Sequence, residues 1–225
     1  MEARDQMTRR RMLKGTLAAA TAAAVSPLRV IQEALALGGV ESGVYRIKGT
    51  VLVNNRTATE KMPLKAGDVI VTGRGAELVF VANKDAFLVR ENTRLELGGS
   101  AGAIILTGFR VITGAVLSVF ERGKPKQVVT STATVGIRGT GLYVESAPTR
   151  SYVCTCYGIS EIVANANRDY REIIETTHHD EPRYVYATGE TMIATAAMQN
   201  HSDAELVMLE WLVGRNVPFA AEAYK

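Results

Sequence analysis

The sequence predicts an all-β body followed by a single C-terminal α-helix. Three observations carry this expectation. Short β-branched and apolar runs recur about every ten residues from Gly49 onward. The breaks between them are glycine-rich or charged, as in Gly67-Asp68, Asn83-Lys84-Asp85 and Gly98-Gly99, which are turn-forming words. Apolar residues at helical spacing do not appear until after residue 201. Many short strands at this spacing suit a sandwich, or a β-roll or β-helix-like arrangement, in one domain.

Taken in order, the expected strands centre on Val51–Val53, Val69–Val71, Leu78–Val81, Phe87–Val89, Leu95–Leu97 and Ile104–Leu106. Val116–Phe120, Val128-Val129, Leu142–Val144, Tyr152-Val153 and Ile173-Ile174 follow. The stretch Gly98-Gly99-Ser100-Ala101-Gly102 reads as a flexible turn, because no helix pattern follows it as a phosphate-cradling loop would require. Ser202-Asp203-Ala204-Glu205 has the capping-box pattern, ahead of Leu206, Leu209 and Leu212-Val213, and Gly214 is a stop signal. That helix is expected to pack on the sheet.

The N-terminal segment has a different character. Thr8, the paired Arg9 and Arg10, a free position, the apolar Met12 and Leu13, and Lys14 resemble a twin-arginine export signal. The apolar stretch from Gly15 to Leu28 is rich in Ala and Thr, and falls short of the ~20 strongly apolar residues a membrane span needs. Ala34-Leu35-Ala36 offers a small-residue cleavage site, with Ala22–Ala24 as a second option. The alternative reading is a basic amphipathic helix of a cytoplasmic protein. On the export reading, residues 1–36 are signal, 37–48 linker, 49–200 the β-domain with a Cys/His-bearing extension, and 201–225 the C-terminal helix and tail. The expected location is the periplasm, reached in the folded state, with no stable membrane span after signal removal.

Charge excludes one class of partner. The chain has 26 basic and 23 acidic residues, of which residues 1–36 hold six basic (Arg4, Arg9, Arg10, Arg11, Lys14, Arg29) and three acidic (Glu2, Asp5, Glu33). The remainder carries 20 of each, so there is no electrostatic case for nucleic acid or anionic lipid. Aromatic residues make up only 6%, which argues against a stacking platform for bases.

Three stretches carry a family resemblance: Leu64–Gly73, Ile112–Val119 and, most specifically, Thr134–Val144 with its Arg138-Gly139-Thr140 word. Over roughly residues 49–162 the chain resembles the FecR-like periplasmic domain. The resemblance implies an all-β, non-enzymatic binding or interaction domain outside the cytoplasm, whose partner here is an unidentified envelope protein or small ligand. In its best-known members the domain is coupled to an anti-sigma-type segment and a transmembrane helix that relay iron-siderophore status. This chain shows no such segment ahead of its apolar stretch, and a free-standing relative is expected. In physical terms, Gly67-Asp68 and Gly139 are expected to supply tight turns.

Cys154 and Cys156, the only cysteines, lie in a strand-like run, so alternation points both thiols to one side. Their Cα atoms would be roughly 6.5 to 7 Å apart, at or past the limit for an unstrained disulfide, yet both sulfurs can converge on one ion. His178-His179 lie downstream and His201 precedes the helix. If residues 170–177 pair with the cysteine strand, one imidazole of His178 or His179 comes within reach. Two thiolates and one or two imidazoles suit zinc or copper, with iron disfavoured for want of further thiolates. Cys154, Cys156, His178 and His179 are thus the candidate metal ligands, and His201 is the weakest of the histidines. Three alternatives stay open: two small core residues beside a solvated His-His loop, an unusual disulfide, or a thiol redox role. No nucleophile elbow, phosphate loop or paired carboxylates appear, so no catalytic residue is assigned. The competing function class is a metal-dependent or thiol redox enzyme subunit, and the third is a purely structural envelope protein.

Overall fold

The computed structural model describes residues 40–103 and 106–219. The twin-arginine word, the cleavage site at Ala36 and two residues of the Ile104–Leu106 run lie outside them. The described residues form an all-β fold with one helix. Its strands are β1 (Gly43–Lys48), β2 (Val51–Val53), β3 (Arg56–Thr57), β4 (Val69–Thr72), β5 (Glu77–Ala82), β6 (Asp85–Val89) and β7 (Arg94–Gly98). They continue with β8 (Gly108–Val119), β9 (Pro125–Val129), β10 (Ala133–Ser146), β11 (Arg150–Ala164), β12 (Arg171–Thr176), β13 (Arg183–Tyr186) and β14 (Ile193–Thr195). Helix α1 spans Asp203–Leu212.

All fourteen strands belong to one hydrogen-bonded sheet, which folds over into two layers because three long strands serve both. β8 pairs through Gly114–Val119 with Gly141–Ser146 of β10, and through its first half with β7 and, in parallel, β9. β10 pairs through Thr134–Arg138 with β9. β11 pairs through Arg150–Val153 with β13 and through Gly158–Val163 with β12. The first layer therefore reads β1, β5, β6, the second half of β8, the second half of β10, the first half of β11, β13 and β14. The other halves join β2, β3, β4, β7, β9 and β12 in the second.

Side-chain alternation sorts the first layer cleanly. Leu78, Phe80, Phe87, Val89, Val116, Leu142, Val144 and Val153 enter the core between the layers, meeting Ile70, Leu95, Val111, Val128, Val135 and Ile162 from the second. Their neighbours Val79, Val81, Leu88, Leu117, Tyr143, Tyr152 and Cys154 point the other way, into a second cluster roofed by Leu206, Leu209 and Leu212 of α1. The first layer is thus buried on both faces, which explains the unbroken apolar run of β5 and β6. The second layer exposes Arg110, Arg138 and Glu161 on its outer face. Full burial of each α1 leucine contributes ~1.5–3 kcal/mol. The capping box forms as expected, with the Ser202 N–H donating to Glu205 Oε2 at 3.0 Å.

Three expectations need correction. Part of the 37–48 linker is β1, hidden from a period-two reading by a bulge between Val44 and Arg46. The strands β3, β13 and β14 were not anticipated, being two to four residues long and set by pairing, not by runs of their own. Gly139 does not make a turn between strands. It lies inside β10 with φ +66°, at an irregular stretch where the register with β11 shifts.

Candidate metal centre

The site is built in the second cluster, under the first turn of α1. Alternation along β11 sends Cys154 and Cys156 to the α1 side, both fully buried. Gly141 faces Tyr157 and Leu142 faces Thr155, so Cys156 is the extra residue of a β-bulge. Bulges re-aim side chains. Here Tyr157 also joins the α1 face, its ring over Gly141, whose hydrogen leaves room that a Cβ, 2.5 Å from the ring, would take. The Tyr157 hydroxyl donates to the buried Glu210 of α1, which Arg215 also contacts, pinning the helix over the cysteine strand.

β12 pairs with β11 and carries the chain back past the cysteines. It ends in a turn held by Thr176, whose hydroxyl donates to Asp180 Oδ2 at 2.7 Å and accepts from the Asp180 N–H at 3.2 Å. Within that turn His179 has φ +52°, an uncommon conformation for a side chain of its size. Its N–H donates to the Cys156 carbonyl at 2.9 Å. The left-handed residue turns the His179 ring inward, while His178 stays outside.

His201 enters from the loop before α1. Gln199 anchors that loop: its N–H donates to the Tyr152 hydroxyl at 3.2 Å and its amide donates to Glu145 at 3.2 Å. Tyr143 stacks on the His201 ring, centroids 4.5 Å apart at 22°.

The donor atoms of Cys154, Cys156, His179 and His201 all lie within 4.8 Å of one another, and all four residues are buried. His179 Nδ1 is 3.5 Å from Cys154 Sγ and 3.0 Å from His201 Nε2. The outer nitrogens set the tautomer that each neutral ring adopts. His179 Nε2 faces the Asp203 carboxylate at 3.0 Å, and His201 Nδ1 faces the Gln199 carbonyl at 2.6 Å. Each partner only accepts, so each outer nitrogen carries its proton. In the neutral rings the two inner nitrogens therefore present lone pairs to each other, beside a sulfur that is also an acceptor.

The thiols respond to the same surroundings. The neighbouring Cys156 thiol, aided by His179 and His201 and opposed by burial, holds Cys154 down to about 4. Burial, and the charge on Cys154, push Cys156 well above its ordinary value. Burial works to lower His179, but Cys154 and Asp203 outweigh it and the net shift is upward. Such a nest of acceptors needs a cation at its centre: a proton in the metal-free protein, or a metal ion. This group could hold a metal, with an orienting carboxylate already placed behind one imidazole, as metal-binding histidines commonly have.

Of the residues singled out from the sequence, Cys154, Cys156 and His179 come together. His178 does not join them: it is partly exposed and lies 2.9 Å from both Asp203 oxygens. The two adjacent histidines separate because the left-handed His179 turns its ring inward, not through strand alternation, since β12 ends at Thr176. His201, the weakest candidate by sequence, is the fourth donor, and Asp203, which the sequence marks only as part of the capping box, stands behind His179. No spacing signal marks either, since the loop that brings them in is positioned by Tyr152 and Glu145 from other strands.

No protein-family model and no curated protein matches the chain. Among solved structures, two determinations of a proposed anti-sigma factor from Parabacteroides distasonis share 16% identity with it, at TM-score 0.46. The match covers 57% of this chain and 59% of that one, less than two thirds of its length. A likeness of that extent specifies no function. Among the described residues no helix is long and apolar enough to cross a membrane.

Proposed function

We propose that the protein is a metal-holding β-module that binds one zinc ion through Cys154, Cys156, His179 and His201 and uses the organised body as a binding or interaction platform. One observation carries this reading: two imidazole nitrogens, each on a ring whose other nitrogen faces an acceptor, meet at 3.0 Å beside Cys154. A cation between them turns repulsion into coordination. Two sulfurs and two nitrogens on four buried residues match a structural zinc site; catalytic zinc sites keep a coordination position open. Copper in electron-transfer sites favours one thiolate, two imidazoles and a weak axial ligand, which fits less well. On this reading the ion joins β11, the turn after β12 and the loop before α1.

The FecR-like stretches and the twin-arginine word support an envelope setting, with a protein or small-molecule partner and no catalytic role. Folded-state export would let the ion be loaded in the cytoplasm, where thiols stay reduced. Elemental analysis of protein purified without chelators tests the reading. One zinc per chain in the wild type, lost in both Cys154→Ser/Cys156→Ser and His201→Ala, is the expected result. Full-length, folded protein with no bound metal even after equilibration with zinc would overturn it.

A further inference from the structure

The buried site lies between the sheet beneath it and α1, which roofs it. A cleft of about 500 Å³ reaches it from the side, lined by His178, His179, Met198, His201, Ser202, Asp203 and Ala204. At its mouth stands a second donor group. His178 Nε2 is 2.9 Å from both Asp203 oxygens, and His179 Nε2 is 3.0 Å from Asp203 Oδ1. Exposure falls along the path: the His178 side chain is 43% accessible, Asp203 17% and His179 5%.

We infer that His178 and Asp203, beside the outer nitrogen of His179, form an entry station that captures a divalent cation from water and passes it to the buried donors. The inference rests on the inner site proposed above. His179 stands between the two groups, its Nε2–H on Asp203 and its Nδ1 among the inner donors, so the ion travels about the width of one ring. The chemistry runs downhill. The outer set is one imidazole and a carboxylate, open to water and suited to rapid exchange. The inner set adds two sulfurs, which hold zinc more tightly than oxygen does, and excludes water. His178 earns no place in the inner shell and packs against Phe219, ring centroids 4.5 Å apart, which holds the imidazole at the cleft mouth. A plain His–Asp ion pair on the surface would need neither the cleft nor a neighbour that faces both ways.

Stopped-flow loading of the full-length, metal-free protein with Co²⁺ tests this, read by the thiolate-to-cobalt charge-transfer band. His178→Ala removes an exposed ring and leaves the four inner donors in place. The variant should reach the same band intensity and the same affinity as the wild type, but severalfold more slowly. Because affinity is unchanged, removal of Co²⁺ by excess chelator should slow by the same factor. Equal rates in both proteins, with a normal band, overturn the entry station alone. A wild type that develops no thiolate-to-cobalt band overturns the inner site and the entry station with it. A variant with a weaker band or lower affinity also counts against the proposal, since it would place His178 among the inner ligands.

Discussion

At the residue scale the decisive pair is His179 and His201, whose inner nitrogens are aimed at each other by acceptors behind them. Removing the Asp203 carboxylate should release the His179 ring; Asp203→Ala is expected to weaken zinc binding 10- to 100-fold in chelator competition. The metal-free protein should keep one thiolate at neutral pH. Its ultraviolet absorbance should fade only as pH drops toward about 4 and should be missing in Cys154→Ser. The sign follows from the depressed value: Cys154 contributes stability in full above the ordinary thiol value near 9, and that contribution is lost as pH falls through about 4. Much of this was legible in advance. Alternation places both thiols on one face, and a returning strand brings one of two adjacent histidines to them. His201 was not legible, because its place depends on Gln199 gripping Tyr152 and Glu145, contacts between segments far apart in the chain.

At the element scale, two pairings show how little room the strands leave. Gly108 begins β8 beside β9, and a Cβ there would lie 1.8 Å from the Gln127 carbonyl oxygen. Gly108→Ala should therefore break the parallel β8–β9 contact, seen as a large fall in the denaturation midpoint. Asp85 at the start of β6 and Lys126 on β9 form an ion pair at 2.7 Å with both side chains almost fully buried. It ties the first layer to the second. Lys126→Ala leaves the carboxylate buried and unpaired and should cost ~3–5 kcal/mol in urea unfolding, whereas Lys126→Met with Asp85→Leu should recover much of it. Strand positions such as β5 and β6 were readable because each apolar residue has a core to enter on one face or the other. The β1 bulge, the two-residue β3 and the bend of β10 at Gly139 were not, since partner strands impose them. Glycine words that look like turns can equally mark places where a strand must bend or let another chain segment pass.

At the scale of the whole molecule, the ion should act as a cross-link among β11, the turn after β12 and the loop before α1. Chelator treatment should lower the thermal midpoint of the wild type and leave Cys154→Ser/Cys156→Ser unmoved. At a zinc concentration a thousandfold above the dissociation constant, the wild type should gain ~4 kcal/mol over its metal-free form. The three long strands of 12, 14 and 15 residues have a further consequence, which concerns time. Because β8, β10 and β11 each belong to both layers, neither layer can form and wait for the other, and unfolding should be a single cooperative transition. Contacts such as β1 with β5 and β8 with β10 span long stretches of chain, a topology that folds slowly. The four donors come from the last third of the sequence, on segments that meet only when β11, β12 and α1 have all docked. Zinc bound as proposed would therefore not nucleate this fold as it does a zinc finger: it would arrive after the chain has found its shape, and slow only the way out.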